Sequence, residues 1–363
     1  KTRLAHGSPM QYVSLKNRFA IATLIGASLL LAGCVSIGPR GLELSRTEFN
    51  SAIQRTDGEQ LLLNIVRQRY NDPVMFLEVA SVSSSISRSA SLNLSGFFPG
   101  GGSPDSYNGG LGGSYSDSPL VFYSPNTGER FVRQILTPID LRTISLLLQS
   151  GWSIERVLLV AGDSFAGLKN TTAGAGDYRA LVDHLRTLQR SDQLSFALET
   201  YNNVDILAMI PTTAALSSEA YREACRLMNF PADGRPIRVQ LGIGDRPDPN
   251  SYVFLATRSL YSSFYFLSNG VEAPAGDLSE GVLQRRRLDG GVFDRDGDLF
   301  RVQTSTGKPA DAAVKVRYRD QWFYIPSKDP DSRTTFALLS MMLMLQSGDT
   351  ARMAPLISLS PTR

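Results

Sequence analysis

Side chains that commonly carry out catalysis or bind metals are scarce in this sequence. The 363 residues include two histidines and two cysteines, whereas a structural zinc site uses four such ligands. His6 lies in the N-terminal leader, so histidine catalysis in the rest of the chain would depend on His184 alone. The net charge is +3, but four basic residues and no acidic residue precede residue 34, and the remainder carries −1. We therefore expect no metal site, no cofactor and no nucleic-acid-binding surface.

One short string could supply a nucleophilic serine. Gly162-Asp163-Ser164 follows the apolar run from Val157 to Ala161, which the sequence predicts to be a buried strand. The string resembles the nucleophile block of GDS-type esterases, a family that also has an Asp-x-x-His block toward the C-terminus. Here the available histidine is His184, in a predicted helix twenty residues after Ser164. A serine without a base is a poor nucleophile, so we expect a non-enzymatic protein and keep the esterase as a third hypothesis.

Two further motifs have simpler structural explanations. The segment Asp294–Asp298 has the aspartate spacing of a calcium-binding loop, but it lacks the glycine at the sixth position and the glutamate at the twelfth. We interpret it as a polar turn. Cys225 lies in a helical pattern over 218–228, where a lone cysteine is typically a small buried hydrophobic residue.

The N-terminal leader contains the strongest motif. Basic residues precede fifteen uncharged residues, 19–33, which is the pattern of a signal peptide and is short for a membrane-spanning helix. The closing string Leu31-Ala32-Gly33-Cys34 resembles the lipobox of bacterial lipoproteins. That resemblance implies cleavage before Cys34 and covalent lipid on Cys34, with Val35 favouring the outer membrane. We therefore expect residues 1–33 to be a signal peptide and the rest of the protein to be lipid-anchored at the outer membrane, with its body in the periplasm.

The elements beyond the leader divide into a tether, a body and an insertion. We predict a lipidated tether over 34–44, a body over 45–79 and 125–363, and an inserted β-hairpin over 80–124. Helical and strand patterns are mixed along the body, which predicts an α/β or α+β fold.

Within the body, the helical and strand patterns can be placed by residue number. The predicted helices lie near 59–71, 128–136, 139–149, 178–189, 217–228, 258–267 and 332–345, and the predicted strands near 157–161, 194–199, 237–243, 313–318 and 322–325. The strings Gln60–Arg67 and Gly128–Gln134 are similar to a group of uncharacterised proteobacterial outer-membrane lipoproteins. That resemblance implies no function.

The insertion has an unusual composition and a regular alternation. Its residues 81–118 include 13 Ser and 8 Gly. Odd positions from 81 to 95 are all Ser except Asn93, whereas the even positions are mainly apolar. A period of two predicts a strand with one polar and one apolar face. The alternation resumes from Tyr107 to Asp117 after the Gly/Pro-rich stretch 99–105, which predicts an antiparallel hairpin.

A pairing register for this hairpin can be predicted from its aromatic residues. If Phe98 pairs with Tyr107, Leu94 lies opposite Leu111 and Ala90 lies opposite Tyr115. The same register places the basic Arg88 opposite the acidic Asp117, and we predict an ion pair between them within the apolar face.

The length of the hairpin favours a membrane location. Ala90–Phe98 and Tyr107–Tyr115 are nine uncharged residues each, about 23 Å when tilted, close to the apolar band of about 25 Å in outer-membrane barrels. The residues expected to face lipid are Ala90, Leu92, Leu94, Phe98, Tyr107, Leu111 and Tyr115. The residues expected to face a water-filled lumen are Ser87, Ser89, Ser91, Asn93, Ser95, Asn108, Ser114 and Ser116.

A single hairpin in lipid would leave the backbone groups of its edges unpaired, so several subunits must contribute hairpins to one closed barrel. We therefore predict a homo-oligomeric, ring-shaped pore in an envelope or secretion assembly, with membrane lipid and other envelope proteins as partners. The alternative is a monomeric periplasmic lipoprotein whose hairpin is a soluble arm that binds a partner in an envelope complex. A flexible linker is the remaining interpretation of the segment.

Overall fold

The computed structural model describes residues 37–97, 106–126, 129–171, 176–243, 252–284 and 299–347. The chain divides into two compact units, Lys1–Arg55 and Thr56–Arg363. The described part of the first unit, 37–55, is helical, so the segment predicted as a tether is helical from Ile37 onward. Cys34 and the predicted signal peptide, 1–33, lie outside the described residues.

The helices and strands follow one another along both units. The helices are α1 (Ile37–Arg69), α2 (Glu129–Leu136), α3 (Leu141–Gln149), α4 (Ile154–Ala161), α5 (Gly176–Arg190), α6 (Glu219–Leu227), α7 (Leu260–Leu267), α8 (Ala275–Ser279) and α9 (Pro330–Ser347). The strands are β1 (Phe76–Phe97), β2 (Ser106–Asn126), β3 (Gly162–Phe165), β4 (Leu168–Lys169), β5 (Leu194–Tyr201), β6 (Val204–Pro211), β7 (Ile237–Leu241), β8 (Tyr252–Thr257), β9 (Gln303–Ser305), β10 (Ala312–Tyr318) and β11 (Gln321–Pro326). Short 3-10 helices occupy Thr213–Ser217 and Ser268–Gly270.

The second unit contains a mixed six-stranded sheet with the strand order β4-β3-β8-β7-β6-β5. Only β7 and β8 pair parallel, and the other neighbours pair antiparallel. Leu207, Val239 and Val253 are partners across three adjacent strands and are buried. Helix α3 packs against β5 and β6, and α5 packs against α4 and α6. Helices beside a mostly antiparallel sheet make this an α+β fold.

A smaller sheet and the last helix complete the core of the second unit. The three-stranded sheet has the order β10-β11-β9, and the strands predicted over 313–318 and 322–325 are confirmed as the antiparallel pair β10 and β11. Helix α9 buries Leu338, Leu339 and Met342. Its N-terminal end is joined to α4, because the Arg156 guanidinium donates to Asp331 Oδ1 at 2.7 Å and to Thr335 Oγ1 at 2.6 Å.

The strand predicted over 157–161 is wrong. These residues are the C-terminal part of helix α4, and strand β3 begins only at Gly162. All five side chains are buried, so the apolar run shows neither a period of two nor a helical period. The Val157 amide donates to the Ser153 carbonyl oxygen at 3.0 Å, which is the first turn of the helix.

Other predicted elements are confirmed, whereas strands β3, β4, β6, β8 and β9 were not predicted. The helices over 178–189 and 332–345 correspond to α5 and α9. Strand β6 follows Asn202 and Asn203, whose positive φ angles of 49° and 63° make the tight turn from β5. Within the described ranges, no helix has the length and apolar character needed to cross a membrane.

Candidate functional site: the long hairpin and its root

Strands β1 and β2 have 22 and 21 residues, whereas strands usually have five or six. They pair antiparallel with each other, and no third strand joins them within the described residues. At about 3.3 Å per residue, the paired part is about 70 Å long.

The pairing register groups the polar and the apolar positions of the two strands into separate rows. The described positions predicted to face lipid all fall in one row, in which Leu92 pairs with Leu111. The positions predicted to face a lumen all fall in the other row, in which Ser89 pairs with Ser114. The alternation along each strand is therefore matched across the hairpin, as required for two faces of opposite polarity.

The predicted register itself is wrong by two residues. Tyr107 pairs with Gly96 rather than with Phe98, and Leu111 pairs with Leu92 rather than with Leu94. Phe98 lies outside the described residues. An eight-residue connection does not determine the register in the way that a two-residue turn does. A shift of two keeps every residue in its row, so the assignment of rows is unchanged.

The shift also means that Arg88 and Asp117 are not directly opposite each other, and their ion pair stays a prediction. Arg88 pairs with Tyr115, and Asp117 pairs with Ile86. The two charged residues are therefore diagonal neighbours in the same row rather than direct partners. Beyond them, toward the connection, the nine pairs from Ser89–Ser114 to Phe97–Ser106 contain no charged residue.

An irregularity at Ala80 extends the apolar row toward the body. Val79 pairs with Tyr123 on one side of it, and Val82 pairs with Val121 on the other. Because Tyr123 and Val121 are two residues apart on β2, Val79 and Val82 belong to the same row although they are three apart on β1. The extra residue is a β-bulge, which restores the row that simple alternation would have broken.

Two amide side chains on α1 hold the backbone at the root of the hairpin. Asn64 Nδ2 donates to the Met75 carbonyl oxygen at 2.8 Å, and the Met75 amide donates back to Asn64 Oδ1 at 2.9 Å. Gln60 makes the same pair of bonds with Leu77, at 3.1 Å and 2.6 Å. Residues four apart on a helix share a face, so these two amides bind alternate residues of a strand as a neighbouring strand would.

An aromatic cluster fixes the residue between those two. Phe76 is buried, with its ring centroid 5.7 Å from that of Phe131 on α2 and 5.9 Å from that of Phe264 on α7. The root of the hairpin is therefore fixed to three helices. Gln60 and Asn64 were not among the residues predicted to be functional. Their signal is the presence of two amides, one turn apart, within an otherwise apolar helical stretch.

The structure gives Gly162-Asp163-Ser164 a packing explanation. A Cβ atom on Gly162 would collide with the Tyr178 hydroxyl and the Leu158 carbonyl oxygen, so the glycine permits the close approach. Ser164 lies in β3, paired with Ala256 and Lys169. Within the described part of the chain, no hydrogen bond joins Ser164 to His184 on α5, which is the contact that an activated serine needs.

Arg258 makes the most extensive buried polar contacts near that string. It is 7% exposed, and its Nη1 donates to the carbonyl oxygens of Leu159 and Gly162 at 3.2 and 2.6 Å. Its Nη2 donates to the Asn170 carbonyl oxygen, and the Asn170 side chain donates to the same two carbonyls as Nη1. These donors satisfy the C-terminal carbonyls of α4, which have no partner within the helix. Burial lowers the pKa of the Arg258 guanidinium, and the nearby Asp163 partly opposes this.

A cavity of about 600 Å³ opens beside Arg258. Its lining is mostly polar and also includes Leu136 of α2 and Tyr265 of α7. Among the described residues, no group of three or more His, Cys, Asp or Glu side chains is arranged to hold a metal ion. The segment Asp294–Asp298, interpreted as a polar turn, lies outside the described residues.

Cys225 is buried as predicted, at 1% exposure. Burial raises the pKa of its thiol to about 11, and the Tyr221 hydroxyl only partly offsets this. Almost none of this thiol is therefore in the reactive thiolate form near neutral pH. No family model, curated protein or solved structure matches the chain.

Proposed function

We propose that this protein is a lipoprotein of the bacterial outer membrane, anchored through lipid on Cys34, whose body lies in the periplasm. In this proposal several subunits form a ring, and their hairpins combine into one transmembrane β-barrel that encloses a pore. The protein acts as a channel component of an envelope or secretion assembly, without enzymatic activity or a cofactor. The observation that carries the proposal is the separation of polar and apolar positions into two rows over a very long hairpin.

The uncharged part of the hairpin has the length that a membrane requires. Nine consecutive pairs, from Ser89–Ser114 to Phe97–Ser106, contain no charged residue. They extend about 30 Å along the strands, or about 23 Å along the membrane normal at the usual tilt, near the apolar height of about 25 Å. The charged Arg88 and Asp117 then fall at the periplasmic boundary of this segment, on the side of the root.

The unpaired edges of the hairpin support the ring. Within the described residues each strand has one partner, so one edge of each strand has backbone groups without a ladder. In lipid those groups must be paired, and closure into a barrel pairs all of them. Identical hairpins supply matching edges, because β1 of one subunit can pair with β2 of the next around a ring.

The test compares two adjacent residues that fall in different rows. Leu92→Arg places a charge toward lipid near the middle of the uncharged segment, at a cost of about 2 to 4 kcal/mol in every subunit. Ser91→Arg places the same charge toward the lumen. We expect Leu92→Arg to prevent ring formation in detergent and the permeabilisation of liposomes, and Ser91→Arg to form rings with altered ion selectivity.

Particle size by electron microscopy and ion flux by liposome assay give the result. A protein that stays monomeric in mild detergent, or two variants that behave alike, would contradict the pore. The same result would favour the soluble arm that binds a partner. Loss of lipid labelling in Cys34→Ser tests the anchor separately.

A further inference from the structure

The polar row of the uncharged segment carries hydrogen-bonding groups and no charge. Within the nine pairs that contain no charged residue, the pairs of this row are Ser89–Ser114, Ser91–Gly112, Asn93–Gly110, Ser95–Asn108 and Phe97–Ser106. Every residue in them is Ser, Asn or Gly except Phe97, which belongs to the last pair before the connection. Hydroxyl and amide side chains both donate and accept hydrogen bonds without being ionised. A solute beside this row would therefore find partners for hydrogen bonds but no fixed charge.

The charged residues nearest to the segment cancel each other. Arg88 and Asp117 are one of each sign and belong to the apolar row, so a hairpin brings no net charge to the periplasmic boundary. Among the paired residues of β1 and β2, one further residue is charged, Glu78, which pairs with Ser124 near the root. It lies ten residues before Arg88, about 30 Å along the strand, whereas the Debye length in 0.1 M salt is about 10 Å. Its charge is therefore screened at the level of the uncharged segment.

We propose that the pore selects its solutes by size and not by charge, so that it admits hydrophilic solutes that are neutral or of either sign. This inference rests on the proposed function, because it takes the polar row to line a water-filled lumen. Channels that discriminate between cations and anions do so with rings of charged side chains or of free backbone carbonyls. In a barrel the backbone carbonyls are paired within the sheet, and the hydroxyl and amide groups of this row are neutral.

Asn93 is the position at which a charge can be introduced with the least disturbance. Asn93–Gly110 is the fifth of the nine pairs, so it lies at the middle of the segment. Asparagine and aspartate side chains have nearly the same shape, so Asn93→Asp changes the charge of the row without changing its size. Each subunit repeats the substitution, and the variant therefore carries a ring of carboxylates in a lumen that is otherwise neutral. A ring of this kind makes a channel prefer cations.

The first measurement is the ratio of K⁺ to Cl⁻ permeability. It is taken from reversal potentials of the full-length lipidated protein in planar bilayers of phosphatidylcholine, with KCl near about 0.1 M. We expect the wild-type ratio to lie within about twofold of 1, and Asn93→Asp to raise it at least about fivefold. Ser91→Asp, at the preceding position of the same row, should have the same effect. Glu78→Gln is the control for the remote charge and should leave the wild-type ratio unchanged.

The second measurement extends the test to larger solutes. Liposomes are loaded with fluorescent dextrans of graded mass in three forms, which are neutral, anionic and cationic. We expect the wild-type protein to release all three forms up to the same mass, because only the width of the lumen limits passage. In Asn93→Asp the anionic form should be released more slowly than the neutral form, since the carboxylate ring repels it.

The outcomes separate this inference from the proposed function. Absence of both current and release in the wild type would overturn the pore, and this inference with it. A wild-type pore that prefers one sign of ion by more than about fivefold would overturn the inference and leave the pore intact. Different mass limits for the three dextrans would do the same. Aspartate variants that form rings but keep the wild-type ratio would show that the polar row does not line the lumen, which also overturns the inference.

Discussion

The six-stranded sheet and the hairpin differ in how their edges are completed. The sheet ends in β4 and β5, which have 2 and 8 residues, and its four inner strands have neighbours on both sides. Each hairpin strand has more than 20 residues and one neighbour within the described chain. Long unpaired edges recruit other strands, so proteins normally keep them short or cover them. The sheet therefore ends in shorter edge strands, whereas each hairpin strand has a long edge that, under the proposed function, pairs with the hairpin of another subunit.

The two regions also differ in what satisfies their polar groups. In the body, side chains from distant segments converge on the C-terminal carbonyls of α4, as Arg258 and Asn170 show. Among the contacts that the structure describes, side chains of the body reach the hairpin at its root, where Gln60 and Asn64 bind Leu77 and Met75. We expect damage to the body network to unfold the body, and damage to the root to change only how the hairpin is held.

Among the variants that test this comparison, Arg258→Leu is expected to have the largest effect on the free energy of unfolding. It removes the donors to the carbonyl oxygens of Leu159, Gly162 and Asn170 and leaves those oxygens buried without enough partners. We expect a loss of about 3 kcal/mol or more in the free energy of unfolding, measured by denaturant titration followed by circular dichroism. Arg317→Leu is the control, because Arg317 makes an exposed pair with Asp320 that contributes about 0 to 1 kcal/mol. Equal losses in the two variants would contradict a structural role for the buried network.

Asn64→Leu is expected to have an intermediate effect, centred on the root. The Met75 amide and carbonyl each lose a partner, which costs about 2 kcal/mol for two unmade bonds near a buried site. Hydrogen exchange at the Met75 amide should accelerate, while amides in β7 keep their protection. Gln60→Leu should cost less, because its bonds to Leu77 are exposed to water. If the β7 amides lose protection to the same degree as the Met75 amide, the root does not open independently of the six-stranded sheet.

The sequence predicts the hairpin strands better than the sheet, and the reason is physical. Alternation of Ser with apolar residues is a local signal, so the rows follow from it even though the register does not. The connection of eight residues between Phe97 and Ser106 leaves the register to be chosen by pairing along the whole length. In α4 the sequence shows no periodic alternation of polar and apolar residues, because all five side chains of Val157–Ala161 are apolar and buried.

The contacts that hold the candidate site could not be predicted for a different reason. Asn64 and Met75 are 11 residues apart, Gln60 and Leu77 are 17 apart, and Arg258 and Gly162 are 96 apart. Pairings over such distances are determined by the packed fold rather than by local pattern. The fold class, in contrast, can be predicted from the order of helices and strands along the chain, and α+β was one of the two predicted classes.

The pH dependence of the free energy of unfolding is expected to be the smallest of these effects, and we expect it to come from the body rather than from the hairpin. Glu155 of α4 is buried, and this burial raises the pKa of its carboxyl, although the Arg186 guanidinium 2.5 Å away partly opposes the shift. The nine uncharged hairpin pairs contain no carboxyl group at all.

A carboxyl whose pKa is raised on folding binds its proton more tightly in the folded state. Its contribution to stability is therefore complete below the unfolded pKa, about 4.3, and is lost as pH rises through the folded pKa. The difference in the free energy of unfolding between wild type and Glu155→Gln should accordingly fall as pH rises from 4 toward 7. Asp205→Asn is a control of opposite sign. Hydrogen bonds from Thr200 and Arg142 lower the pKa of Asp205, so its contribution is lost as pH falls. Denaturant titrations across this pH range test both slopes, and a flat difference for Glu155→Gln would mean that Arg186 cancels the effect of burial.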